Sequence, residues 1–143
     1  MTDGMCWYRV FGYKTDPPDF RPLHVICHLV KDSHGWYQAK FPMLSGDIEL
    51  DRWLPEEDGI RSELNTWAAW VEVNGGPELG WLMQRVVATA QLFSWPVEPS
   101  HSDAVFFSGM LARFLSAATD GVYQIDHQGF FKADGTLLLR ETP

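Results

Sequence analysis

The first part of the chain contains short runs of aromatic and β-branched residues separated by turn-forming clusters, a pattern typical of β-strands. Residues 6–13 form one run, and a Pro-Pro turn closes it. Residues 24–31 and 36–41 form two more, and the four residues Asp-Ser-His-Gly between them predict a β-hairpin. Because 24–31 is apolar at both odd and even positions, we expect this strand to lie in the centre of its sheet.

The middle of the chain changes to helical spacing. Ile60, Leu64, Trp67 and Val71 recur at steps of four, three and four and predict a helix over about 56–72, with an acidic first turn that suits the helix dipole. A second helix is expected to begin at Pro77, with an apolar face that continues to position 93 before a loop over 94–100. A third is expected to start at Ser102 as its N-cap and to end at Asp120-Gly121.

The last part of the chain returns to strands. Residues 122–125 form one run, and 130–133 and 136–139 flank Asp134-Gly135, a strong hairpin signal. Strands, then helices, then strands predict an α+β fold in one domain over 1–143. We expect a mainly antiparallel sheet with about three helices packed on one face.

Charge and hydropathy exclude several classes of partner. The 143 residues carry a formal net charge of −8, which disfavours nucleic acid and anionic membranes as ligands. No apolar run reaches the length of a membrane span, and the first residues do not resemble a secretory signal. The two cysteines, Cys6 and Cys27, are expected to be reduced and buried. These features predict a cytoplasmic protein.

Two clusters of reactive residues are weak candidates for chemistry. His24, Cys27 and His28 have metal-binding side chains, but the period of two in a strand points Cys27 away from the histidines, so no metal site is expected. His101-Ser102-Asp103 contains the three residue types of a catalytic triad, yet triads are assembled from separate elements, and helix capping explains Ser102. No nucleophile elbow, phosphate loop or zinc-protease motif is present. The sequence therefore indicates no catalytic residue and no cofactor.

The acidic residues are concentrated in one segment. Nine acids and two bases lie between Asp47 and Glu78, interleaved with tryptophans. Carboxylates beside aromatic rings can attract and anchor a cationic protein, although a solvated helix face would give the same pattern. The candidate partner-binding residues are Asp47, Glu49, Asp51, Trp53, Glu56, Glu57, Asp58 and Glu63. Trp7, Trp36 and Tyr37 lie in strands with polar alternation and could add an exposed aromatic patch.

Two stretches carry a resemblance to known proteins: 63–72 (ELNTWAAWVE), and a C-terminal stretch built from 119–126, 129–131 and 134–139. They resemble stretches of small bacterial proteins of the toxin-immunity type, the cytosolic inhibitors that accompany secreted antibacterial toxins. The resemblance implies a non-enzymatic binder whose acidic surface blocks a toxin.

Two other functions stay open at this point. One is a small hydrolase or ligand-binding domain with a pocket containing His24, His28 or His101, and the other is an assembly subunit with an apolar face for a homo-oligomer.

Overall fold

A computed structural model describes residues 4–141, which form an eight-stranded antiparallel sheet with three α-helices. The strands are β1 (Cys6–Gly12), β2 (His28–Asp32), β3 (Gly35–Phe41), β4 (Ile48–Trp53), β5 (Gln91–Val97), β6 (Val122–Ile125), β7 (Gly129–Lys132) and β8 (Leu137–Arg140). The helices are α1 (Ile60–Gly75), α2 (Gly80–Val87) and α3 (Ser102–Thr119), with short 3-10 turns at Arg21–Leu23 and Pro77–Leu79. The predicted α+β class and antiparallel sheet are confirmed.

The sheet has the strand order β2-β3-β4-β5-β1-β6-β7-β8, so β5 and β1 lie at its centre. In this pair Val10 lies opposite Phe93, and Phe11 lies opposite Leu92. Because successive side chains point to opposite faces of a strand, the first pair lies on one face and the second pair on the other. All four side chains are buried, so both faces of the sheet need cover.

The helices provide that cover from opposite sides. Helix α3 packs through Leu111 and Leu115 on the face that carries Val10, whereas α1 and α2 pack on the face that carries Phe11. The expected placement of all three helices on one face is thus corrected. The physical reason is that the central strands are apolar at successive positions, and one layer of helices cannot bury both sides.

The strand expected at the centre of the sheet lies at its edge instead. The predicted hairpin is confirmed, since β2 and β3 pair antiparallel, but β2 begins only at His28 and all five of its side chains are exposed. Val25 and Cys27, whose apolar character suggested a central strand, precede β2 and pack partly against the core under α3. The double-sided apolar pattern therefore came from an irregular segment that meets the core.

Two strands, β4 and β5, were not predicted from the sequence, and β5 replaces an expected helix end and loop. The apolar face expected to continue the second helix to 93 ends with α2 at Val87, and the predicted loop over 94–100 contains a strand instead. Pairing with β1 and β4 outweighs the local helical spacing. Pro96 is tolerated because β4 pairs with β5 only over Leu92–Ser94, so Pro96 lies beyond that ladder.

Candidate functional site

One face of the sheet carries two parallel rows of side chains with opposite character. Residues paired across strands point to the same face, so the pairing register identifies each row. The first row, from β4 to β6, is Trp53, Leu92, Phe11 and Val122, and its last three members are buried under α1 and α2. The second, two positions along each strand, is Gln38, Asp51, Ser94, Arg9 and Gln124. A polar stripe therefore lies beside the apolar row, and only its Gln124 end is fully buried.

Two cavities lie along this stripe and share Trp53. The first has a volume of about 470 Å³ and is lined by Asp32, His34, Tyr37, Asp51, Arg52, Trp53, Leu54, Glu56 and Glu57. The second has a volume of about 410 Å³ and is lined by Trp7, Arg9, Trp53, Asp58, Gly59, Ile60, Glu63 and Ser94. We call the two cavities together the acidic groove, because six carboxylates and two arginines line them.

Most of the residues predicted to bind a partner line this groove. They are Asp51, Trp53, Glu56, Glu57, Asp58 and Glu63. The other two lie elsewhere: Asp47 is exposed before β4, and Glu49 pairs with Lys40, whose Nζ lies 3.3 Å from Oε1. The structure therefore brings six of the eight side chains together on one surface.

A tight turn, and not a helix, presents the acids at 56–58. The first helix was predicted to begin at about 56, but α1 begins at Ile60, after Gly59 in the left-handed region (φ 83°). Glu57 folds back so that its Oε2 accepts a hydrogen bond from the Leu54 N–H at 2.5 Å. The other two acids, Glu56 and Asp58, make no hydrogen bond or ion pair to the described residues, so both carboxylates are available at the groove.

A β-bulge places an aromatic wall on the first cavity. Val30 pairs with Gln38, but Lys31 pairs with Trp36, so β3 contains one extra residue, Tyr37. The irregularity turns Trp36 into the core under α3, where its indole N–H donates to the Pro18 carbonyl at 2.9 Å. Trp36, expected as part of an exposed patch, is thus corrected to a core residue, whereas Tyr37 is exposed and lines the cavity.

Arg9, the arginine of the polar stripe, was not identified from the sequence. Arg9 Nη1 donates to Asp126 Oδ1 at 2.7 Å and to Gln124 Oε1 at 2.8 Å. Its guanidinium carbon lies 5.0 Å from the centre of the Trp67 ring, a cation–π contact from α1. The alternation of β1 was the available signal, because it puts Trp7 and Arg9 on one face, but the carboxylate lies 117 residues away in the chain.

Two carboxylates of this region have pKa values shifted in opposite directions. Burial raises the pKa of Asp126, but the hydrogen bonds from Gln124 and Arg9, together with the charge of Arg9, outweigh it and hold the pKa below its usual value. Asp51 behaves in the opposite way: burial raises its pKa, and the hydrogen bond from Gln38 offsets this only in part. Binding of a cation beside Asp51 would therefore favour its ionised form.

We expect Asp126→Asn to lower the free energy of unfolding at neutral pH by about 2 kcal/mol, because Arg9 loses its closer charged partner in a half-buried site and keeps only the 3.9 Å contact with Glu63. The lowered pKa means that Asp126 stabilises the fold fully above its unfolded pKa of about 3.9, and that this contribution is lost as pH falls through the folded pKa. Urea unfolding across that pH range should show the two proteins converging in acid. Asp58→Asn serves as the control, and equal stability of Asp126→Asn and wild type at pH 7 would contradict the assignment.

The two clusters of reactive residues lie at the first 3-10 turn with β2, and at the start of α3. His24 lies at the left-handed end of the first 3-10 turn, and His28 is exposed in β2. Within residues 4–141, no group of three or more His, Cys, Asp or Glu side chains is arranged so that it could hold one metal ion. Asp103 accepts hydrogen bonds from the Ser45 hydroxyl and N–H at 2.7 and 3.1 Å, so it is directed away from a triad. Ser102, expected as the N-cap, is the first residue of α3 and makes no capping bond.

Two further results bear on function. No helix in the described part of the chain combines the length and the hydropathy that a membrane crossing needs. Comparisons of the chain with models of protein families, with curated proteins and with solved structures find no match.

Proposed function

We propose that this chain is a non-enzymatic protein that binds a cationic segment of another protein in its acidic groove. The observation that carries the proposal is the convergence of six carboxylates on two adjoining cavities beside the polar stripe. Arg9 is neutralised by Asp126 within the fold. The groove therefore presents an excess of negative charge.

Aromatic side chains complement that charge. Trp53 stands between the two cavities and donates its indole N–H to Ser94 Oγ at 3.1 Å, which fixes the ring in place. Trp7 and Tyr37 line the outer parts of the groove. Fixed aromatic rings beside carboxylates suit lysine and arginine side chains, which gain both cation–π contact and an ion pair.

The two kinds of residue contribute to different steps of binding. Long-range attraction between opposite charges speeds the encounter and weakens with salt. Contacts with desolvated aromatic rings slow dissociation, because they are lost only when the partner leaves. The mechanism is occlusion: the bound surface of the partner becomes inaccessible to its own target.

The resemblance to toxin-immunity proteins gives the partner a class. In this proposal the partner is a cationic antibacterial toxin, and the chain acts in the cytoplasm as its stoichiometric inhibitor. One of the two resembling stretches, 63–72, begins with Glu63, and Glu63 lines the acidic groove.

We expect the double substitution Glu56→Lys with Asp58→Lys to abolish capture of the partner at low salt while leaving the fold intact. Neither side chain makes a hydrogen bond to the described residues, so stability should change by less than about 0.5 kcal/mol. The test is affinity capture from cells that carry the natural partner, with stepwise salt elution and identification by mass spectrometry. The supporting result is one basic protein in stoichiometric amount on wild type that is absent from the variant.

The matched control is Asp47→Lys with Glu72→Lys, which changes the net charge equally. Both acids are exposed and belong to the same acidic segment, but neither lines the groove. The control should retain the partner. Equal loss in both variants would show that overall charge, and not the groove, causes capture, and retention by Glu56→Lys with Asp58→Lys would refute the proposal.

A further inference from the structure

The first cavity of the groove contains a buried arginine that has no carboxylate partner among the described residues. Only 4% of Arg52 is exposed. Its Nε donates to Gln91 Oε1 at 2.6 Å, and its Nη1 donates to the carbonyl oxygens of Trp36 and His34 at 3.0 and 3.3 Å. All three acceptors are neutral, whereas buried arginines usually meet an anion.

One nitrogen of this guanidinium is free to bind a ligand. Nη2 makes no hydrogen bond to residues 4–141, and it does not belong to the polar atoms that are sealed from solvent without a partner. Arg52 and His34 also line a smaller cavity beside the first one. Arg52 therefore lines two adjoining cavities, and one nitrogen of its guanidinium has no hydrogen-bond partner among the described residues.

The surroundings of Arg52 restrict the ligand. Burial lowers the pKa of the guanidinium, and the charges of Asp32 and Glu57 act against that effect, so both carboxylates lie within electrostatic reach. Asp51 and Glu56 also line the cavity. The four carboxylates that line this cavity repel a simple anion, yet a simple cation would leave Nη2 of Arg52 without a partner. A ligand that carries both a negative and a positive group can pair with Arg52 and with the carboxylates of the cavity.

We propose that this cavity binds the carboxylate of a basic α-amino acid, arginine or lysine, either free or at the C-terminus of a peptide. The carboxylate accepts a hydrogen bond from Arg52 Nη2, and the cationic groups face the four acids. Tyr37 and Trp53 provide aromatic walls for the side chain. A volume of about 470 Å³ falls within the range of small-ligand sites and exceeds what one such residue needs.

This proposal is independent of capture of a protein partner, because it concerns a small ligand that can be tested alone. Titration calorimetry compares L-arginine with agmatine, which is arginine without its carboxylate. If the acids alone attract the ligand, agmatine binds more tightly, because it carries one more net positive charge. If Arg52 anchors a carboxylate, L-arginine binds more tightly by about tenfold or more, as a charge-assisted hydrogen bond provides.

Two tripeptides distinguish the sources of the carboxylate. Gly-Gly-Arg with a free C-terminus should bind like arginine if the site accepts a peptide end, whereas its C-terminal amide should bind at least about tenfold more weakly. If only free arginine binds, the ligand is the amino acid itself. The proposal is overturned if neither L-arginine nor Gly-Gly-Arg binds, or if agmatine binds more tightly than L-arginine.

Two substitutions separate the charges of the cavity. Arg52→Lys keeps a positive charge but loses the second N–H arm, so the preference for L-arginine over agmatine should disappear. Because Arg52 also holds Gln91 and two carbonyls, Glu56→Gln provides a variant that disturbs no hydrogen bond of the described residues. It should weaken L-arginine severalfold, with Glu72→Gln as the control outside the cavity, and unchanged affinity in Glu56→Gln would contradict the assigned role of the acids.

Discussion

Phe130→Ala is expected to lower the free energy of unfolding by about 4 kcal/mol, the largest effect we predict for one side chain. Phe130 has no exposed surface and packs against Phe11 in the sheet and against Trp67 and Trp70 of α1, with ring centroids 5.7 to 5.9 Å apart. Removing the ring leaves a cavity between the sheet and α1, because three large neighbouring rings cannot all move to fill it.

Urea unfolding followed by far-UV circular dichroism gives the size of this effect. Leu137→Ala is the matched control, because Leu137 lies on the neighbouring strand β8 but is 38% exposed, and its loss should cost less than about 1 kcal/mol. Similar losses in the two variants would show that α1 is not anchored through Phe130. Because α1 also carries Glu63, a loosened helix should in addition weaken binding in the acidic groove.

The parts of the fold that were predicted correctly are those whose signals are local. The C-terminal hairpin follows from Asp134-Gly135, where Gly135 has a φ of 93° and its N–H donates to the Lys132 carbonyl at 2.9 Å. Helix α3 follows from an apolar stripe and a terminating Asp120-Gly121, with Asp120 in the left-handed region. In both cases the residues that specify the element are its own residues.

The parts that were missed depend on distant residues. Strand β5 looks like a continuation of α2 when it is considered alone, and only its pairing with β1, more than 80 positions earlier, makes it a central strand. The edge position of β2 is likewise a property of the sheet order, which no local pattern contains. The placement of α3 opposite α1 also depends on this order, because only strands at the centre of the sheet need helices on both faces.

The same division applies to the candidate groove. The acidic segment identified six lining residues, because they occur within 51–63 of the chain. The polar stripe is assembled from five strands, so Arg9, Gln124 and Asp126 meet only after folding. Arg52 was visible as an isolated base among acids, but its burial and its unused N–H edge depend on contacts with Gln91 and the β2–β3 hairpin.

The junction between α3 and β6 controls how closely β6 can pack against β1, and the polar stripe crosses both strands. Gly121 follows the end of α3, and its N–H donates to the Ser116 carbonyl at 2.8 Å. A Cβ atom at this position would lie 2.3 Å from the Phe11 carbonyl oxygen and 3.1 Å from the Gly12 Cα. These are backbone atoms of β1, so they cannot rotate away as a side chain would, and β6 must move relative to β1.

Gly121→Ala is therefore expected to lower the free energy of unfolding by about 3 kcal/mol and to disturb the Arg9–Asp126 pair farther along the same two strands. Gly109→Ala is the matched control: it adds the same methyl group within α3, where a Cβ meets no atom within 4 Å, and should stabilise the protein by about 0.5 to 1 kcal/mol through helix propensity. Urea unfolding measures both changes, and the Arg9 Nε–H signal in an NMR spectrum reports on the pair. If Gly121→Ala is as stable as Gly109→Ala, then β6 does not pack against the end of β1 as closely as described, and the register that aligns Arg9 with Gln124 and Asp126 is wrong.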